Sequence, residues 1–266
     1  VTGAPGFDVA PGGPGIAVPG PRHRSPRPWA DLLHRAEQVA VHGAEAVHRP
    51  AWMRRTAGER RWPVTVTIVA AIGLQVALPD TLALRPMLLL PALECALLAG
   101  LIIANPVRIE RRSRVVAVTS LVLTLLVTIA NAFSAGQLVM TIATGRFHGK
   151  PLALLGAGAA VWATNVIAFA LWYWEFDRGG PVHRAQGTSP YPDLLFPQMV
   201  SPGLAPPDWE PLFVDYLYMS FTNATAFSPT DVMPLARWAK LTMLVQSGVS
   251  LAVVVLVVAR AVNILT

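Results

Sequence analysis

Residues 210–241 read EPLFVDYLYMSFTNATAFSPTDVMPLARWAKL. The first half opens on helix-start residues, Glu210 and Pro211, and continues with aromatic and apolar side chains. The apolar part stops near Ala226 after about 14 residues, short of the roughly 20 needed to cross a hydrocarbon layer at about 1.5 Å per residue. A hydroxyl-rich turn with Pro229, Asp231 and Pro234 comes next, and a long apolar run lies directly after it. A half-crossing helix ending in polar backbone survives in a bilayer only when buried in protein or lining a water-filled cavity. In a membrane protein, then, this stretch predicts a re-entrant half-helix and turn.

Composition puts the chain in the membrane class. Of its 266 residues 53% are hydrophobic and 14% charged, and the mean hydropathy is +0.49. A soluble domain carries roughly 25% charge. The net charge of +6 is almost all arginine, since Lys150 and Lys240 are the only lysines. Basic character can signal nucleic acid, but here orientation by the positive-inside rule accounts for it, and no nucleic-acid partner is expected. The single cysteine, Cys95, rules out an intrachain disulfide and any cysteine-based metal site. Arginine in excess of lysine fits a high-GC bacterial gene.

Four regions are expected. Residues 1–28 are glycine- and proline-rich, cannot build a core, and predict a disordered tail without the apolar region of a signal peptide. Residues 29–61 form an amphipathic and basic interfacial segment. In it Trp29, Leu32, Leu33, Ala36 and Val39 recur at helical spacing, and Trp52, Arg54, Arg55, Arg60, Arg61 and Trp62 anchor the first span. Residues 62–140 hold three apolar spans, predicted over 62–78, 82–104 and 115–140, with Pro86 and Pro91 kinking or unwinding the start of the second. Residues 141–266 hold a fourth span over 152–174, a proline-rich loop, the half-helix, its turn and a last span over 241–265. The fold class predicted is an all-α integral membrane protein with five transmembrane helices, one re-entrant half-helix and an N-terminal surface helix.

Helix, half-helix, polar turn, aspartate and final helix together resemble the pore-loop unit of potassium channels. That family reads roughly T-x-x-T-V-G-Y-G-D, then a proline, an aromatic and a basic residue ahead of the inner helix. Thr222 and Thr225 match the threonines. Ala226, Phe227, Ser228, Pro229, Thr230 and Asp231 occupy the filter region with one extra residue, and Pro234, Trp238 and Lys240 match the residues beyond it. The resemblance covers about residues 152–266 and implies a homo-tetramer around a cation pathway. Ser228 and Thr230 stand at the family's two glycine positions, where backbone angles are costly for a residue with a Cβ. A carbonyl ladder of the usual kind is therefore not expected. Hydroxyls of Thr225, Ser228 and Thr230, with the Asp231 carboxylate, would instead meet a partly hydrated monovalent cation. Glu94 in the second span, the aromatic end of the fourth, DYLYMSFT and the closing VNIL also resemble an uncharacterised family of bacterial multi-pass membrane proteins, which supplies architecture alone.

Charge sets the topology. Nine arginines precede residue 62, and Arg108, Arg111, Arg112 and Arg114 fill one loop. Placing these in the cytoplasm of a multi-pass protein of the inner or plasma membrane makes the half-helix enter from the cytoplasmic side, inverted relative to potassium channels. The alternatives are an N-terminus outside, against the charge rule, or a span count other than five; the charge rule is favoured.

Other residues carry weaker signals. Glu94, mid-span, is either an ion or proton site or a hydrogen-bonded contact between helices. Asp215, Tyr218 and Ser220 are expected to support the half-helix, and Asn131 and Asn165 to bridge spans. Gly156, Gly158, Ala159 and Ala160 give the fourth span a small-residue face. His34, Glu37, Glu45 and His48 have spacings that suit a metal but read better as a solvated face. With no catalytic set and no phosphate-binding loop, neither enzyme activity nor a cofactor nor a metal is expected. The leading expectation is a channel or channel-like protein of the bilayer; the alternative is a non-conducting membrane scaffold.

Overall fold

The computed structural model describes residues 50–109, 113–146, 150–225 and 231–265. The amphipathic segment over residues 29–48, its metal-spaced His34, Glu37, Glu45 and His48, and the filter-like residues Ala226, Phe227, Ser228, Pro229 and Thr230 lie outside the described residues.

The fold is mostly helical. Its main helices are α1 (Trp62–Ala77), α2 (Leu89–Ala104), α3 (Arg114–Ala143), α4 (Pro151–Phe176), α5 (Phe213–Thr225) and α6 (Arg237–Leu265). Three helical stretches are long and apolar enough to cross a membrane: Arg114–Ala143, Pro151–Gln186 and Arg237–Asn263. The two earlier helices are apolar but shorter. α2 begins at Leu89 rather than Leu82, because Leu82–Leu88 is spent on a turn containing Pro86. Pro91 falls in the helix's first turn, where a missing N–H costs nothing.

Helices α1 to α4 alternate in direction, and α6 runs antiparallel to α4. Arg61 N donates to Val107 O, joining the start of α1 to the end of α2. Ser120 on α3 donates to Glu175 at the end of α4, and Phe176 stacks edge-on against Trp238 at the start of α6. One end of the bundle therefore gathers the starts of α1, α3 and α6 and the ends of α2 and α4. The other gathers their opposite ends.

The chain between α4 and α5 is packed against the first end. Asp177 is fully buried; one carboxylate oxygen accepts the N–H groups of Asp193 and Leu194, and the other accepts the Tyr216 hydroxyl at 2.6 Å. Leu194–Leu195 (β1) then pairs antiparallel with Met233–Pro234 (β2). The turn after the short helix Pro181–Gln186 requires glycine: Gly187 has φ +62°, and a Cβ there would lie 2.5 Å from Met53 O.

Two hydrophobic clusters divide the bundle by depth. The first, at the end carrying β1 and β2, includes Phe213, Tyr216 and Met219 of α5. The second joins Leu78, Leu138, Leu154, Val161 and Val257 toward the other end and contains no residue of α5.

Candidate functional site

α5 sits in the notch between α4 and α6. Its buried residues Phe213, Tyr216, Met219, Ser220 and Ala224 recur at helical spacing. Glu210 and Pro211 were expected in its first turn, but the helix starts at Phe213. Asp215 sets that start: its carboxylate accepts the Leu212 N–H at 2.8 Å while Asp215 N donates to Leu212 O, half of a capping box. Running antiparallel to α4, α5 passes Trp174 with Phe213, Val166 with Ser220 and Trp162 with Ala224. It thus ends beside the middle of α4.

A buried polar network fixes it there, centred on Gln246 of α6. Gln246 Oε1 accepts the Tyr173 hydroxyl at 2.7 Å and the Asn223 amide at 2.8 Å. Its Nε2 donates to Ser220 O at 2.9 Å and Ser220 Oγ at 2.7 Å. An amide has two donor hydrogens and two acceptor lone pairs, so all four are used. Ser220 Oγ in turn donates to Val166 O at 2.7 Å. Deeper in the bundle Asn165 donates to Ser250 Oγ at 2.9 Å and accepts from Asn131 at 3.1 Å, so the two asparagines do bridge spans.

The C-terminal end of α5 is capped by side chains from three helices. The last four carbonyls of a helix have no partner within it. Thr225 Oγ1 donates to Thr222 O at 2.7 Å, Ser247 Oγ to Asn223 O at 3.1 Å, and Trp162 Nε1 to Ala224 O at 3.4 Å. The hydroxyl of Thr222 also bonds back onto its own helix, to Met219 O at 2.9 Å. Both filter-position threonines thus point their hydroxyls at α5 backbone, and Asp231, the first residue described after the turn, is exposed.

Of the residues expected to support the half-helix, Asp215 caps it and Ser220 anchors it. Tyr218 lies on the exposed face, outside the network. Gln246, Ser247 and Ser250 were not singled out from sequence. The signal was present: QSGVS places three polar side chains at helical spacing on one face of an otherwise apolar run.

Glu94 is fully buried and receives Gln75 Nε2 at 3.2 and 3.4 Å, one bond to each oxygen. This joins the last turn of α1 to the second turn of α2. It is the hydrogen-bonded contact between helices that was one of the two readings of this carboxylate.

A second polar centre lies where α1, α4 and α5 meet. Glu59 accepts the Trp174 indole N–H at 2.7 Å and the Phe213 backbone N–H. Burial pushes its carboxyl above the ordinary value, against the opposing pull of those two donors and of Arg184. Arg184 donates to Trp174 O and Asp177 O and stacks over the Tyr216 ring, 4.9 Å from its centroid. Arg178 donates to Trp52 O at 2.6 Å and lies over the Trp52 ring. These contacts lock the start of α5 to the segment before α1. Among the described residues no group of three His, Cys, Asp or Glu side chains is placed to hold a metal.

Comparison with known proteins finds no matching family model, no matching curated protein and no matching solved structure.

Proposed function

We propose that the chain is a channel-like membrane protein with five crossings, in which α5 and the turn after it form a re-entrant pore-type element in a symmetric self-assembly, a homo-tetramer. One observation carries this: α5 descends beside α4 only to Trp162, and the chain is back at its starting end by the Leu194–Pro234 pairing. A backbone that enters and leaves by the same end, with polar groups at its deepest point, is the arrangement a bilayer tolerates around an aqueous path.

Electrostatics support a cation. The C-terminal end of α5 carries about half a negative charge from its backbone dipoles, and it is held at mid-depth. Each capped carbonyl keeps a second lone pair. The next residue described after α5 is Asp231. The outward residues of α6, among them Leu244, Val255 and Val258, are apolar and exposed, as a face meeting lipid or a second copy requires.

Orientation obeys the charge rule. The end where α5 begins carries Arg60, Arg61, Arg108, Arg114, Arg237 and Lys240, against Arg85, Arg146 and Lys150 in the turns at the other. This supports a loop whose mouth faces the cytoplasmic side of the inner or plasma membrane.

A non-conducting scaffold is the second reading, and it too has an observation behind it. The hydroxyls of Thr222 and Thr225 are committed to α5 backbone. Flux of potassium, sodium and protons into liposomes decides between them. Conduction that changes with Asp231→Ala supports the pore. Absence of flux from folded, oligomeric protein supports the scaffold.

A further inference from the structure

Arg60 and Arg108 stand opposite each other in an isolated antiparallel bridge that joins the segment before α1 to the segment after α2. Its hydrogen bonds, Arg61 N to Val107 O at 3.1 Å and Ile109 N to Glu59 O at 3.0 Å, fall on either side of the pair. Arg60 and Arg108 are therefore a non-hydrogen-bonded pair, the kind with closer side chains, with Cα atoms about 4.5 Å apart. Like charges directly opposite weaken such a pairing. Arg108 offers one N–H to Gly58 O at 2.8 Å. Arg60 makes no side-chain hydrogen bond or ion pair among the described residues. Most of the ten N–H donors of the two guanidinium groups are thus unused.

Arg61 adds an independent observation. It is 7% exposed, and its Nε has no partner. It borders two spaces. One is a partly open pocket of about 120 Å³ that it shares with Glu175. The other is a groove of about 500 Å³ between α1 and α2, headed by Arg60, Arg61 and Arg108. Below the arginines this groove is lined by Val66 and Ile102, Trp62 stands at its rim, and among the described residues no acidic side chain lines it. Trp62 is 63% and Val66 59% exposed.

We propose that this groove binds an anionic phospholipid, its phosphate held between Arg60 and Arg108 and one acyl chain lying along Val66 and Ile102. Guanidinium forks match phosphate oxygens in pairs. Among the described residues the groove offers two guanidinium groups to a phosphate and no carboxylate to the ammonium of a zwitterionic headgroup. The apolar floor and the interfacial tryptophan select a lipid over a soluble phosphate. The bound phosphate relieves the like-charge pair and so clamps the start of α1 to the end of α2. This rests on α1 and α2 lying in the bilayer and is independent of whether the protein conducts.

The test is native mass spectrometry of the full-length protein in detergent, titrated with phosphatidylglycerol or phosphatidylcholine. The wild type retains one phosphatidylglycerol preferentially, by roughly fivefold for each arginine engaged. Arg60→Gln with Arg108→Gln abolishes the preference, whereas Arg55→Gln with Lys240→Gln, basic positions outside the groove, leaves it unchanged. A preference that survives the first pair would reduce the effect to diffuse attraction and overturn the site. Displacement of the lipid by glycerol 3-phosphate at equal concentration overturns the lipid assignment. Should the arginine pair fail to fold, quenching by brominated lipid still decides the matter. Brominated phosphatidylglycerol quenches a component that Trp62→Phe removes, and equal quenching of it by brominated phosphatidylcholine overturns the proposal.

Discussion

The Tyr173 hydroxyl and the Gln246 side-chain oxygen lie 2.7 Å apart, both groups fully shut off from solvent. Through this one contact α4, which opens the second half of the chain, is tied to α6, which closes it, and the same amide carries the half-helix α5. The position of α5 in depth is thus set by a hydrogen-bonded centre rather than by apolar packing alone.

Gln246→Leu should be among the most damaging single changes in the bundle. It strands the Tyr173 hydroxyl, and an unsatisfied buried group costs about 1–3 kcal/mol. It also takes one partner each from the Ser220 hydroxyl, the Ser220 carbonyl and the Asn223 amide, which keep Val166 O, the α5 backbone and Met243 O respectively. Tyr173→Phe removes one partner and costs about 1 kcal/mol. Thermal unfolding in detergent should rank them in that order, and the double variant should show coupling of about 0.5–3 kcal/mol. Additive effects would mean that the two side chains do not share a network.

Glu94→Gln should raise the thermal midpoint. A carboxylate fully buried between apolar helices is costly to keep charged, and an amide keeps the contact with Gln75 without that charge. Gln75→Leu should do the opposite, leaving Glu94 with no donor. If Glu94→Gln abolishes ion flux while stabilising the fold, the carboxylate has a transport role in addition to its contact.

Glu59 gives a pH dependence of fixed sign. Its carboxyl is raised above its ordinary value of 4.5 by burial, so the folded state binds that proton more tightly than the unfolded chain does. The stabilisation from this group is fully present below 4.5 and declines as pH rises through the folded value. Subtracting the pH profile of the thermal midpoint of Glu59→Gln from that of the wild type should isolate this downward slope. A difference that rises with pH would mean that the donors from Trp174 and Phe213 outweigh burial.

Two glycines of α4 should respond in opposite ways. A Cβ on Gly158 would sit 2.8 and 2.9 Å from the two methyls of Val257, whereas one on Gly156 would meet nothing within 4 Å. Gly158→Ala should cost about 1–3 kcal/mol by overpacking. Gly156→Ala should be neutral or stabilise by up to about 1 kcal/mol through helix propensity. Val257→Ala should rescue the first.

Much of the helical layout is written in the chain locally. Apolar length distinguishes a long run such as Arg114–Ala143 from the half-length α5, because the hydrocarbon thickness is a fixed ruler. Proline marks where helices start, as at Pro63 and Pro151. Even the contact between Asn131 and Asn165 is foreseeable, since a lone amide in an apolar run must find another polar group.

The identity of partners is not local. Nothing in the order of residues says that Gln246 rather than Asn165 receives Tyr173, that Glu94 is met by Gln75, or that Arg60 faces Arg108 across a bridge. Those pairings join positions 73, 19 and 48 residues apart in sequence, and only the stacking of whole helices brings them into hydrogen-bonding or side-by-side register. The loop before α5 makes the same point. Its proline and glycine content suggests a surface segment, yet Asp177, Arg178 and Arg184 are buried in it. Composition sets what a segment can do alone, and the partners that satisfy its charges are supplied by the fold. By itself the sequence determined that the chain has long apolar helices and a half-length one. The tertiary structure decided where that half-helix stops, because its depth depends on the four hydrogen bonds of Gln246 made together.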